Sequence, residues 1–421
     1  MKRKFIASVL ITLIISCLVG CNSTDEVINE NSSNKNTNIK QIQNSKEENT
    51  NNDIKLKEEI SEKNLDADKD SNNLKTEECD IVHNTWIEKA NMNEGRDCHQ
   101  TVVLDGKIYA ISGVGTPTLE EYDPESDTWT TKASMKEERC YFCAVTLNGK
   151  IYVMGGHKYP SSKATVEEYD PKTNTWTSKA NMNKGRSFFD STVIDNKIYV
   201  IGGIDDGKYL SIEEYNPKTD EWTNKASLDE NISGLIGNCQ IAVINGKIYA
   251  VGDSGKDISK LREYDPKTNT WTTKASLYEE RGANPQTVVV NGKIYIIDSC
   301  CDKTNNEYFF KVEEYDPKTN TWTTKTSTKK STMGFKAVVL NNKIYTLVGE
   351  LYIEGNITAK LLEEYDPETN TWTDKACMNK KHAYSPTTAV LNGKIYIIGG
   401  GKRIVGTPDI EDLSTVEEYT P

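Results

Sequence analysis

Residues 148–179 read NGKIYVMGGHKYPSSKATVEEYDPKTNTWTSK, and this stretch decides the fold because its parts return through most of the chain. Three phrases recur seven times each. Asn-Gly-Lys-Ile-Tyr or a near copy stands at Asp105–Tyr109, Asn148–Tyr152, Asp195–Tyr199, Asn245–Tyr249, Asn291–Tyr295, Asn341–Tyr345 and Asn392–Tyr396. Glu-Glu-Tyr-Asp-Pro or a variant is centred on Tyr122, Tyr169, Tyr215, Tyr264, Tyr315, Tyr365 and Tyr419. Thr-Trp or a variant supplies Trp86, Trp129, Trp176, Trp222, Trp271, Trp322 and Trp372, spaced 43 to 51 residues apart. Constant phrases separated by variable gaps are the mark of a repeat architecture.

Each unit reads as four short strands. A β-branched run such as Thr101–Leu104 meets an Asp/Asn-Gly pair, which accepts positive φ and signals a tight hairpin. Lys-Ile-Tyr-x-x-Gly-Gly continues as the second strand, and Val-Glu-Glu-Tyr forms the third. Asp-Pro-Lys-Thr-Asn then turns the chain, Pro setting the first corner and Asp offering a side-chain acceptor. Thr-Trp-Thr-x-Lys is the fourth strand.

Units of this length, with four strands, a Gly doublet and spaced Tyr and Trp, resemble kelch repeats over residues 83–421. The doublet is intact at Gly155-Gly156, Gly202-Gly203 and Gly399-Gly400; it is reduced at Gly113, Gly252 and Gly349, and Asp298 replaces it in the fifth unit. The resemblance implies an all-β, seven-bladed β-propeller. Trp86 has no Glu-Glu-Tyr before it, and Tyr419 has no Trp after it. The strand Asn84–Lys89 is therefore expected to complete the seventh blade beside Thr415–Tyr419, closing the ring without a long free edge.

The first 83 residues are of another kind. Lys2, Arg3 and Lys4 precede an apolar run from Phe5 to Val19, too short to span a membrane comfortably. The sequence Leu18-Val19-Gly20-Cys21 resembles the lipobox of bacterial lipoproteins. That implies a signal peptide over residues 1–20 and acylation of Cys21, a firm anchor to the membrane through lipid alone. Residues 22–78 hold 14 acids, 8 lysines and no aromatic residue. They read as a polar tether, about 40 Å in mean span. Three parts follow: signal peptide 1–20, lipidated tether 21–78 and propeller 79–421. The expected location is extracytoplasmic, as a monomer.

Composition excludes some functions. The net charge is −12, and no broad basic surface suited to a nucleic acid is visible. Ten cysteines occur, none repeating from unit to unit, so they read as scattered thiols rather than a disulfide framework for the fold. The four histidines are His83, His99, His157 and His382, which leaves little acid–base capacity near neutral pH.

One face of the ring is expected to carry the short uniform turns and the other the variable loops, where binding residues tend to be placed. Only seven arginines occur against 44 lysines. Arg96, Arg139 and Arg186 lie nine residues before the first hairpin of their units, and Arg281 lies ten before. The kelch resemblance implies that this position points into a central funnel, where guanidinium recognises carboxylates or sugars. His99, Tyr141, Phe188 and Tyr384 share that register as further ligand-binding candidates, with Asp97, Phe142, Phe189 and Asp190 nearby.

The alternative role for the arginines is to cap loops through backbone carbonyls. Kelch propellers include galactose oxidase, a copper enzyme with two Tyr and two His ligands, and N-acetylneuraminate mutarotase, which has six blades. Copper is disfavoured by the few histidines, so no cofactor, metal site or catalytic residue is assigned. The expected function is a binding module for a glycan or an envelope protein. A sugar-active enzyme of the mutarotase kind is the alternative.

Overall fold

The computed structural model describes residues 84–158, 161–205, 208–209, 212–226, 240–251, 260–277, 285–302, 307–328, 335–348, 352–353, 356–357, 361–380, 382, 385–403 and 410–421. The expected signal peptide, Cys21 and tether lie outside these residues, as do Arg281 and Tyr384. All regular structure among the described residues is β. It forms seven antiparallel meanders of four strands, and small two-stranded hairpins accompany them.

Blade 1 shows the local logic. Gln100–Leu104 pairs with Lys107–Ile111, then with Leu119–Asp123 and Thr128–Lys132. The first turn is left-handed at both corners, Asp105 at φ 50° and Gly106 at 74°, and the same pair of positive values recurs in all seven blades. Such a turn matches the twist of its strands, and Asn, Asp and Gly bear it at least cost. In the second turn the aspartate accepts as expected, Asp170 Oδ1 taking the Lys172 amide at 2.9 Å. That turn ends in a left-handed Asn or Asp, such as Asn174 at φ 52°.

The innermost strands start at Gln100, Cys143, Ser187, Gln240, Gln286, Lys336 and Thr387. Each neighbours the innermost strands of the blades before and after it, and the seventh neighbours the first, so the ring is closed around an axial channel. Closure follows the expected route. Thr85–Lys89 pairs antiparallel with Val416–Thr420, Trp86 facing Tyr419.

No single central core exists. Seven apolar clusters lie between successive blades. Side-chain alternation explains this arrangement: Ile108 and Ala110 point toward blade 7, whereas Tyr109 and Ile111 point toward blade 2. Both faces of each second strand are therefore covered. A polar clasp joins each pair of blades. Every repeat tryptophan donates its indole N–H to a carbonyl of the preceding blade's exit, as in Trp129 to Ala90 at 2.9 Å and Trp176 to Ala133 at 2.7 Å. The seventh clasp, Trp86 to Ala376 at 2.8 Å, is made by the N-terminal strand.

Two expectations need correction. The second-to-third connections are more ordered than loops, since they contain short hairpins such as Gly401–Arg403 with Ile410–Asp412. In blade 5 the two strands themselves lengthen to Lys293–Asp302 and Glu307–Asp316. The cysteines are also not all thiols. Cys98, Cys140 and Cys143 are free, but Cys377 is disulfide-bonded.

Candidate functional site

The connection into each innermost strand shapes the channel mouth. In blades 1, 2, 3 and 7 the residue seven places before the first hairpin is Cys98, Tyr141, Phe188 and Ser385. All four are left-handed, with φ between 47° and 55°. None is glycine, and this conformation costs an L-residue roughly 1 kcal/mol or more. Tertiary contacts impose it. The Gly doublet of one blade lies under the connection of the next: Gly156 N–H donates to Arg186 O at 2.7 Å, and Gly400 N–H to Arg96 O at 2.9 Å. A Cβ on Gly155 would stand 2.7 Å from that Arg186 oxygen, so only glycine admits this approach.

The bend brings Tyr141 and Phe188 face to face, with centroids 4.0 Å apart and planes at 23°. Both rings stay partly exposed. The Cys98 thiol is hydrogen-bonded with Asp97 and Tyr141, and it lies 4.0 Å from Ser385 Oγ. Burial holds this thiol well above its ordinary range, so it is no ready nucleophile. His99 Nε2 meets Thr387 Oγ1 at 2.8 Å, and burial with the nearby Arg96 and Lys336 charges holds its pKa down to about 3. His99 Nδ1 and Asp97 Oδ1 are buried without a hydrogen-bond partner among the described residues. Burial raises the Asp97 carboxyl to about 6 and that of Asp190 likewise.

Aligning the units on their first hairpins puts Gln100, Cys143, Asp190, Gln240, Gln286, Lys336 and Thr387 at one level of the channel. Only two members of this ring carry charge. Asp190 spends both oxygens on backbone amides, Ser191 at 2.7 Å and Ile241 at 3.1 Å. Lys336 makes no hydrogen bond or ion pair with the described residues and stays partly exposed.

The arginines are placed differently from the funnel expectation. Arg96 is closed off from solvent, donating to Ser112 O at 2.7 Å, Thr118 O at 3.1 Å and Glu120 at 2.9 Å. Arg139 repeats this with Gly155 O, Thr165 O and Glu167, and Arg186 with Gly202 O and Glu213. These guanidinium groups brace their own blades, which is the loop-capping alternative. The reason is that each blade offers a buried glutamate and freed carbonyls beside the Gly doublet, and guanidinium satisfies both at once.

Of the other candidates, Tyr141, Phe188 and His99 gather near the mouth, while Phe142 and Phe189 belong to the packing between blades. Arg281 and Tyr384 lie outside the described residues. The sequence reading passed over Cys98, Ser385 and Lys336. Aligning the repeats on their hairpins would have exposed Lys336 as the one base in its ring.

A copper site of the galactose-oxidase kind does not fit these residues. His382 is committed to Gly399 O at 2.8 Å and Glu417 at 3.2 Å, and His99 to Thr387. No group of three or more His, Cys, Asp or Glu at metal-binding distance occurs among the described residues. A separate shallow recess, lined by Lys136, Arg139, Glu167 and Ser178, lies by the outermost strand of blade 2 and not at the channel mouth.

With this geometry in place, the comparisons can be read. The profile of the KLHDC2/KLHL20/DRC7 kelch-repeats domain matches residues 98–286, and that of the kelch motif matches residues 283–329. The chain belongs to the kelch-repeat family. Among solved structures, this kelch propeller is similar to a fungal alcohol oxidase of the AA5 family in complex with copper. Identity is 17%, the match covers 80% of this chain and 76% of that one, and the TM-score is 0.64. It is also similar to YjhT at 15% identity, covering 68% of this chain and 99% of that one, with a TM-score of 0.52. At such identities the kelch fold is what these structures share with it. No curated protein sequence matches significantly.

Proposed function

We propose that the protein is a lipid-anchored, extracytoplasmic kelch propeller that binds an envelope glycan as a monomer at its channel mouth. The observation that carries this reading is the Tyr141–Phe188 stack, held on left-handed backbone and left partly exposed. Strain of this kind persists where surrounding structure imposes it, and it concentrates at functional sites. A flat aromatic surface suits the C–H face of a sugar ring. Asp97 Oδ1, His99 Nδ1 and the ring glutamines offer hydrogen-bonding groups for hydroxyls.

Location is supported by the lipobox-like Leu18–Cys21 and by the disulfide at Cys377, since disulfides persist in oxidising compartments. The test is titration calorimetry of the detergent-solubilised full chain against purified envelope glycans, with Tyr141→Ala and Phe188→Ala beside it. Saturable binding that both variants lose while keeping their unfolding midpoints supports the reading. Binding that both variants retain, or no binding to any glycan, overturns it; in the second case crosslinking in intact cells would seek an envelope protein. Turnover of a bound sugar, followed by NMR, would point to the enzyme alternative.

A further inference from the structure

Lys336 is the first residue of the innermost strand of blade 6. Alternation along that strand puts it on the face of Val338 and Leu340, which pack toward blade 7. Ala337 and Val339 point the other way, toward blade 5. The Lys336 charge bears on Cys98 and His99 of blade 1, whose innermost strand shares the channel with that of blade 6. Cys98 in turn is hydrogen-bonded with Tyr141, a member of the aromatic stack. His99, 2% exposed, has an unpartnered Nδ1 in the same place.

The hairpin lysines pair with acids of their own blades, as Lys343 does with Glu364 at 2.8 Å and Lys293 with Glu314 at 2.7 Å. Arg96, Arg139 and Arg186 are braced inside the blades. Lys336 is different: it has no ion pair with the described residues, and burial drives its pKa below the ordinary lysine range. Leaving a half-buried charge without a countercharge is costly, and such a group at a cleft is a candidate for binding one.

We infer that Lys336 is the cation of an anion subsite at the channel mouth, and that it takes the carboxylate of an acidic saccharide. One unpaired amine matches a monoanion; a phosphate dianion would call for a second cation. The inference rests on reading the channel mouth as the glycan site, and it adds the charge class of the ligand.

The test labels amines of the detergent-solubilised full chain with a trace acetylating reagent and reads each lysine by peptide mass spectrometry. Glucuronate, glucose and sodium sulfate are the probes, with Lys107 and Lys380 as internal references. Glucuronate is expected to slow acetylation of Lys336 at least fivefold, with glucose and the reference lysines showing no effect. Sulfate, a dianion, protecting as well as glucuronate would make the subsite a general anion site and overturn the carboxylate assignment. Equal protection by glucose, no protection by glucuronate, or a Lys336 that is never acetylated overturns the subsite itself.

The Lys336→Gln variant gives a second arm. Glutamine already occupies this ring position as Gln100, Gln240 and Gln286, so the substitution suits the fold. It should abolish glucuronate binding measured by calorimetry. If the variant binds glucuronate as wild type does, the inference is wrong. Neutral-glycan binding lost in Tyr141→Ala, without glucuronate protection of Lys336, would sink the subsite and leave the glycan reading standing. The converse pattern would sink the aromatic reading alone.

Discussion

Arg96 Nη2 and Glu120 Oε1 lie 2.9 Å apart, with both side chains fully closed off from solvent. The carboxylate also accepts the Asn93 amide at 2.6 Å and the Glu94 amide at 3.2 Å. It therefore ties the linker from blade 7 into blade 1. Arg139–Glu167 and Arg186–Glu213 repeat the pair in blades 2 and 3, and His382–Glu417 takes its place in blade 7.

Breaking this brace from one side should be expensive. Glu120→Gln leaves the Arg96 charge buried without its countercharge, and the expected loss is about 3–5 kcal/mol in urea unfolding. The double variant Arg96→Met with Glu120→Leu removes both charges but leaves Ser112 O and the Asn93 and Glu94 amides without these partners, so it should recover only part of that loss. A single variant within 1 kcal/mol of wild type would show that the pair is not the brace described.

The Trp86 clasp predicts a graded response. Trp86→Phe keeps a tilted ring contact with Tyr419 but loses the bond to Ala376, at a cost of about 1 kcal/mol. Removing residues 1–89 leaves the edge of Val416–Thr420 open and should abolish a single cooperative unfolding transition by circular dichroism. Removing residues 1–83 should preserve it.

How far these features were legible in the sequence follows from the repeat. Turn residues, strand count and closure were readable because Asn-Gly, Asp-Pro and Trp act locally and recur seven times. The role of Arg96 was not readable, because its partner Glu120 is 24 residues away in the same blade. Nothing in local spacing separates an inward guanidinium from one facing a ligand. Tyr141 and Phe188 were found by register, but their stacking depends on a left-handed bend imposed by the neighbouring blade's glycines.

His99 gives a pH signature. Its folded pKa of about 3 lies below the ordinary 6.5, so the unfolded chain takes up a proton that the folded chain refuses. Stability should fall as pH drops below about 6.5, by about 1.4 kcal/mol per pH unit from this group, until pH approaches 3. The stability difference between wild type and His99→Gln should therefore shift in favour of the variant on going from pH 7 to pH 5. Unfolding midpoints across that range check this, and parallel curves would refute the neutral, buried state.

The Cys377 disulfide makes a chemical prediction. Its neighbour Ala376 accepts the Trp86 indole N–H, so the disulfide lies beside the seam that closes the ring. Non-reducing peptide mapping should recover Cys377 in a disulfide-linked peptide. Reduction should then lower stability by about 2–4 kcal/mol. Recovery of Cys377 as a free thiol would contradict the bonded state.

The strand that completes blade 7 also sets an order of events. Thr85–Lys89 is among the first parts of the propeller to be synthesised, and Val416–Thr420 is the last. Synthesis delivers the chain from its N-terminus, so the earliest strand must wait, unpaired, for nearly all of the propeller to arrive. Loss of Val416–Thr420 thus removes the partner of that first strand and of Lys394–Ile398 as well. A nascent chain stalled anywhere short of Tyr419 has an open ring, and quality control can read completion of the propeller at that one seam.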